Sequence, residues 1–186
     1  MPAALTRRRF TVGEYYRMAE AGILRPDERV ELIEGEIVTM AAIGSRHAST
    51  VMRLNRLLAS ELGDRTLVLV QAPVRLSDLS EPEPDVALLR PRSDDYASAH
   101  PGPDDVLLIV EVAESTVAFD RGMKLRLYAA AGIPEYWIVD LADDRIEVYQ
   151  QPGATGYRDV RRYRREDTLR AAAFPNVEMA VAAILP

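Results

Sequence analysis

The chain contains no cysteine, which excludes disulfides and thiolate-ligated zinc sites and suits a reducing cytoplasm. Two histidines, His47 and His100, are the only imidazoles. No apolar run approaches the roughly 18 residues a membrane span needs. Arg7-Arg8-Arg9 leads into Phe-Thr-Val-Gly-Glu rather than an apolar signal core, so the expectation is a soluble, cytoplasmic protein without membrane contact. Internal repeats and linker-like stretches are also missing. Positive charge is in deficit: the formal net charge of -6 argues against a protein that coats nucleic acid non-specifically through many phosphate contacts. It does not exclude a nuclease, because an acidic metal site brings negative charge of its own.

What is present fits one α/β domain over residues 1–186, with residues 1–9 expected to be a flexible N-terminus. Thr11-Val-Gly-Glu14 has the spacing of a capping box, and the helix it starts should stop near Gly22. Val30-Glu-Leu-Ile and Glu36-Ile-Val-Thr-Met flank Glu34-Gly35, a two-residue hairpin turn. That register pairs Glu31 with Val38 and places Glu31 on one face with Ile33, Val38 and Met40; a one-residue slip would turn it to solvent. Val51, Leu54, Leu58 and Leu62 form the apolar stripe of a helix over residues 46–62, with His47 on the same stripe. Residues 66–71 and 74–76 read as strands interrupted by Pro73, and Val86-Ala-Leu-Leu89 as another. Residues 90–105 read as a surface loop, 118–131 as a helix ended by Gly132 and Pro134, and 135–140 with 145–149 as a hairpin. More strand and turn, then a short apolar tail, complete the chain.

The run Val106–Val112 is rich in β-branched residues and bounded by charge, as a central strand buried on both faces should be. Glu111 sits inside it. An ionised carboxylate there costs several kcal/mol or more unless a cation or hydrogen-bond donors hold it. A divalent metal ion would do so, and so would a buried arginine or lysine. Asp85, after Pro84, is either a second hard-oxygen ligand on a rigid strand or a turn residue accepting backbone hydrogen bonds. Lys124 has a compact charge that suits stabilising the charge developed in phosphodiester hydrolysis; on spacing alone the commoner arrangement is an exposed pair with Asp120 on one helix face, worth about 0.3 to 0.5 kcal/mol. His47 is a hydrogen-bonded structural residue or part of the site. Tyr136 and Trp137 read as core or dimer-contact residues. The arginines from Arg158 to Arg170 read as a solvated strand, with a phosphate-tracking surface as the minority alternative.

Pro84-Asp85 followed by Glu111-Val112-Ala113 resembles the PD-(D/E)XK nuclease signature. Glu31-Leu-Ile-Glu-Gly-Glu-Ile-Val, His47, Glu83-Pro-Asp-Val-Ala, Val110-Glu-Val, Asp120 with Lys124 and Tyr128, and Gly132-Ile-Pro-Glu-Tyr-Trp-Ile-Val-Asp140 together resemble the Uma family of restriction-type endonucleases. The resemblance runs from about residue 10 to residue 150. It implies a restriction-endonuclease-like fold, a mixed central β-sheet flanked by helices. It further implies a Mg2+- or Mn2+-dependent DNA endonuclease with Asp85 and Glu111 as metal ligands and Lys124 as the charge-stabilising or water-orienting group. Glu31 would be a further acid of the site, with His47 and Tyr128 supporting it. One position departs: where the superfamily carries a lysine two residues after the acid, this chain has Ala113, and Lys124 is the matching residue in the Uma pattern. The departure keeps two other readings open, a catalytically silent nuclease fold that binds nucleic acid or a protein partner, and a hydrolase acting on RNA or a nucleotide. A homodimer is expected because two sites would cut both strands.

Overall fold

A computed structural model describes residues 7–186; the expected flexible segment 1–9 therefore falls largely outside the described residues, and Arg7, Arg8 and Arg9 are exposed and irregular. Six strands form the main sheet in the order β3 (Leu67–Val70), β4 (Val86–Leu89), β5 (Val106–Ala113), β6 (Glu135–Asp140), β7 (Arg145–Gly153) and β8 (Gly156–Arg164). Only β5 and β6 run parallel, because the helical segment between them returns the chain across the sheet; the other neighbours are antiparallel, β6–β7 and β7–β8 through tight turns and β3–β4 and β4–β5 through longer loops. The mixed sheet is the one expected.

Alternation along β5 divides the core. Leu108, Val110 and Val112 face α2 (Ser45–Leu62), where Val51, Leu54 and Leu58 are buried against them. Burying each such leucine contributes about 1.5–3 kcal/mol. Ile109 and Ala113 face the opposite cluster with Tyr128, Ile133 and Tyr136. Glu111 has their parity and points to that second face. The C-terminal tail is not simply apolar coil: β9 (Thr168–Leu169) pairs with β10 (Met179–Ala180), and α5 (Val181–Ile184) closes the α2 face.

The first hairpin, β1 (Val30–Ile33) and β2 (Glu36–Thr39), has the expected register, with Glu31 opposite Val38. Glu34 and Gly35 both have positive φ, 50° and 78°. A Cβ on Gly35 would come 2.5 Å from the Cβ of Arg9, so glycine meets both a backbone and a packing requirement there. The capping box holds as well: Thr11 starts α1 (Val12–Glu20), and the Thr11 and Glu14 side chains each take a backbone N–H of the other.

Two expected elements differ. Residues 74–76 are extended but join no sheet; their N–H groups bond the carbonyls of Pro82, Pro101 and Ser80 in surrounding loops, since Pro73 and Pro82 break any continuous ladder. The helix expected over 118–131 is interrupted. It runs as α3 (Val117–Phe119), a π-helical turn (Asp120–Lys124), then α4 (Leu125–Ala130). Among the described residues no helix is long and apolar enough to cross a membrane.

Candidate active site

β4 starts immediately after Pro84-Asp85, and its ladder with β5 pairs Val86 with Val110. One residue further along that register Asp85 faces Glu111 across adjacent strands, the separation at which antiparallel side chains touch. Asp85 finishes the ladder with its side chain: Oδ2 accepts the Val112 N–H at 2.9 Å. The same oxygen lies 3.0 Å from His47 Nε2 in the first turn of α2, and Oδ1 accepts from Gln71 Nε2 at 3.2 Å. Asp85 is thus a strand-end residue fixed from three sides, more than a turn-forming aspartate. His47 faces inward, with its Nε2 in hydrogen-bond contact with Asp85.

Glu111 meets the π turn. Lys124 Nζ donates to its Oε1 at 2.9 Å, and Tyr128 OH donates to the same oxygen at 2.7 Å. Both bonds fall on Oε1, so Oε2 keeps its lone pairs free of hydrogen bonds from the described residues. Lys124 also lies 3.3 Å from Glu31 Oε1, while Glu31 Oε2 accepts the Glu83 N–H at 3.1 Å. The hairpin reaches this position because Leu32 bridges Glu81 on the Ser-Glu-Pro-Glu approach to Asp85. Asp120 accepts from Thr116 Oγ1 at 2.8 Å. Glu31, Asp85, Glu111, Asp120 and Lys124 retain 3%, 8%, 5%, 3% and 4% of their surface exposure, so of the two readings of Lys124 the exposed helical pair with Asp120 is the one the fold rules out. The insertion of a π turn carries their common face down onto the sheet.

All five line one cavity of about 310 Å³, together with Arg29, His47, Glu83, Glu114 and an apolar wall that includes Met40, Ile43 and Phe119. Six carboxylates thereby face two cations. Burial raises the Glu111 pKa to about 8; Lys124 opposes the shift, and Asp85, Asp120 and Glu31 reinforce it. Burial also works against the Lys124 charge, but Glu111, Glu31 and Asp120 outweigh it and hold the ammonium above its ordinary value. Asp120 is raised by burial despite Lys124, and Glu83 by burial and then by Glu31. Burial and the neighbouring Glu111 charge keep Tyr128 protonated, so its hydroxyl remains a donor. The cluster carries more acid than its cations neutralise.

That surplus is the observation on which a divalent ion can be tested. Among the described residues no group of three or more His, Asp or Glu side chains is gathered as a closed metal cage. Mg2+ and Mn2+ make a different demand: one or two carboxylates, with the other positions left to water and substrate oxygens. Asp85 and the free Oε2 of Glu111 meet it, and the charge deficit of the cavity favours a dication. Ala113 is buried opposite Asp140 on β6 and supplies no charge; the ammonium beside Glu111 comes from the π turn.

Residues 12–182 match the sequence model of the Uma2 family, described as "Putative restriction endonuclease". The chain belongs to the Uma2 family. An uncharacterized Synechocystis protein, sll1609, is 29% identical over 159 residues, covering 82% of this chain and 87% of the relative. The fold of this Uma2 chain is similar to a crystal structure from Anabaena variabilis described as "a putative nuclease belonging to DUF820". The TM-score is 0.74 at 13% identity, over 95% of this chain and 97% of the other. Within this Uma2 site, sequence reasoning missed Gln71, which holds Asp85 by side chain and backbone, and Arg29 and Glu83 on the cavity wall. One usable signal was compositional: Lys124 is the single lysine among 23 Lys and Arg residues.

Proposed function

We propose that the protein is a divalent-metal-dependent phosphodiesterase, a DNA endonuclease whose reaction takes place in the cavity between the first hairpin and the π turn. The observation that carries this reading is the meeting of Glu111 and Lys124 at 2.9 Å in a cavity that Asp85 also lines. Asp85 and Glu111 would hold a Mg2+ or Mn2+ ion, which when bound supplies Lewis-acid polarisation of a phosphoryl oxygen and acidifies water.

The chain's own residues do the rest. Lys124 places a positive charge where negative charge grows on the phosphoryl oxygens, and it is already ordered by two carboxylates, so little reorganisation is needed. Tyr128 and Lys124 fix the rotamer of Glu111, while His47, Gln71 and the Val112 N–H fix that of Asp85. Glu31 anchors the second side of Lys124 and, from the same cavity, can accept a proton from an attacking water. The apolar wall limits bulk water around these charges, which strengthens each electrostatic contact.

Ala113 favours a second reading, a nuclease fold that binds nucleic acid without cutting it. Incubation of supercoiled plasmid, single-stranded DNA and RNA with Mg2+ or Mn2+ separates the two. Cleavage of DNA by the wild type, lost on chelation and reduced at least ~100-fold in Asp85→Asn, Glu111→Gln and Lys124→Ala, is the expected result. Binding with no cleavage under any metal supports the silent fold, and equal cleavage by all variants defeats the assignment of the site.

A further inference from the structure

Among the cavity residues Arg29 is an unspent cation. Lys124, the other one, is tied to Glu111 and Glu31. Arg29 lies immediately before β1 and its backbone carbonyl accepts the Met40 N–H at 2.9 Å, so the hairpin ladder continues one step to the cavity rim. Its guanidinium spends one donor on the Ala41 carbonyl, at 3.1 Å from Nη1, with Met40 Sδ 4.0 Å from Nη2. Among the described residues no carboxylate lies within ion-pair distance of it, although six acids line the same cavity and Arg29 draws down the pKa of one of them, Glu83. Most of the remaining N–H donors of this planar, permanently charged group are therefore free.

An arginine so placed faces a choice between collapsing onto neighbouring acids and being held away from them. The Ala41 carbonyl does the holding. We infer that Arg29 is a substrate-binding residue that takes the non-bridging oxygens of the nucleic-acid phosphate next to the one being cleaved. The inference rests on the nuclease reading above and names how that site seats its strand. The chemistry suits a phosphodiester oxyanion: a guanidinium fork can donate two parallel N–H bonds to a phosphate, while the acids deeper in the cavity repel a phosphate that has no cation beside it. The scissile phosphate is thus drawn to the metal-binding carboxylates, and its neighbour to Arg29 at the rim.

The test uses full-length protein with DNA strands carrying a single uncharged methylphosphonate on either side of the cleavage position. Binding is measured with Ca2+ replacing Mg2+, and turnover is measured with Mg2+. Arg29→Gln should weaken binding and raise KM about 10- to 100-fold, the factor for a charge-assisted hydrogen bond to phosphate, with kcat within about threefold. Arg29→Lys should recover only part of the loss, and the salt dependence of log Kd should flatten by about one unit of slope in Arg29→Gln. The wild type should lose a similar factor on the substrate neutralised at the contacted phosphate, whereas Arg29→Gln should be indifferent to that same methylphosphonate. Equal sensitivity of wild type and Arg29→Gln at every position overturns the assignment of Arg29 while leaving the nuclease reading in place. A wild type that neither binds nor cuts nucleic acid overturns both.

Discussion

Lys124 shows how strongly local environment governs what one side chain can do. With arginine used at every other basic position, the lysine at this point is the one place where a guanidinium would have to fit between Glu31 and Glu111, 3.3 and 2.9 Å from a single nitrogen. Lys124→Arg keeps the charge but not the size, so cleavage should fall ~100-fold or more while the denaturant midpoint moves little. A variant as active as wild type would contradict the role assigned to the ammonium. Glu111 makes a pH prediction. The folded protein holds its proton up to about 8 and the unfolded chain releases it near the model-peptide carboxylate value. The folded state therefore binds more protons between those limits, and this contribution to stability is present at low pH and lost as pH rises through about 8. A dication needs the deprotonated form, so cleavage at subsaturating Mg2+ should rise across the same window, and higher Mg2+ should move the midpoint to lower pH. A pH profile independent of Mg2+ concentration would rule out that competition.

At the scale of elements the π turn connects two charged systems. Asp120 and Lys124 face the cavity, while Arg121 on the same turn donates to Asp140 at 2.6 Å and Glu147 at 2.8 Å, both 1% exposed. Arg145 and Arg162 complete the neutralisation from β7 and β8. Burial opposes the charge on Glu147, yet Arg121, Tyr149 and Arg162 more than compensate and bring its pKa down to about 2. Its stabilisation is therefore present above the unfolded value near 4.5 and disappears as pH falls toward 2, by roughly 3 kcal/mol in total. Urea titrations at pH 2.5 and 6 should show most, though not all, of that difference in wild type and a much smaller one in Glu147→Gln. Arg121→Met should cost about 3 kcal/mol at pH 7 by leaving two buried acids short of a partner, and should also slow cleavage because the turn carrying Lys124 loses its anchor. Much of this scale was readable in advance. Glu34-Gly35 imposes one turn type and hence the register that places Glu31 inward, and the leucine stripe of α2 has a period only a helix explains. The π turn was not readable, because which carbonyl each N–H meets is decided by how the segment packs on the sheet and not by residue type. Residues 74–76 misled for the opposite reason: Val74-Arg75-Leu76 alternates as a strand does, but the prolines around it removed the neighbours a strand needs.

Across the whole molecule one ladder row collects the charges. Asp85 faces Glu111, Glu111 pairs with Ile138, Ile138 with Glu147 and Glu147 with Arg162. Acids that are far apart in sequence thus share one face at one level of the sheet, with the helical segment laid over them. Asp85, Glu111 and Lys124 were singled out through the resemblance to the Uma family rather than by residue type alone, and they line one cavity; strand order and the depth of that cavity were not legible, since both depend on contacts between segments no local pattern records. Arg158, Arg161, Arg162 and Arg164 lie on the exposed edge strand β8 and Arg165 just after it, and Arg161, Arg162 and Arg165 pair with Asp159, Glu147 and Asp144; Arg170 lies past β9 and pairs with Glu178. The solvated-strand reading of that cluster is the one the fold favours. If Asp85 and Glu111 hold one divalent ion beside the Lys124 ammonium, a crystal structure with Mn2+ recorded at its anomalous edge should reveal it: a single peak with oxygens of both carboxylates about 2.0 to 2.6 Å away and Lys124 still within hydrogen-bond reach of Glu111. A peak elsewhere, or none at millimolar Mn2+ with Glu111 held by Lys124 and Tyr128 alone, would contradict that assignment.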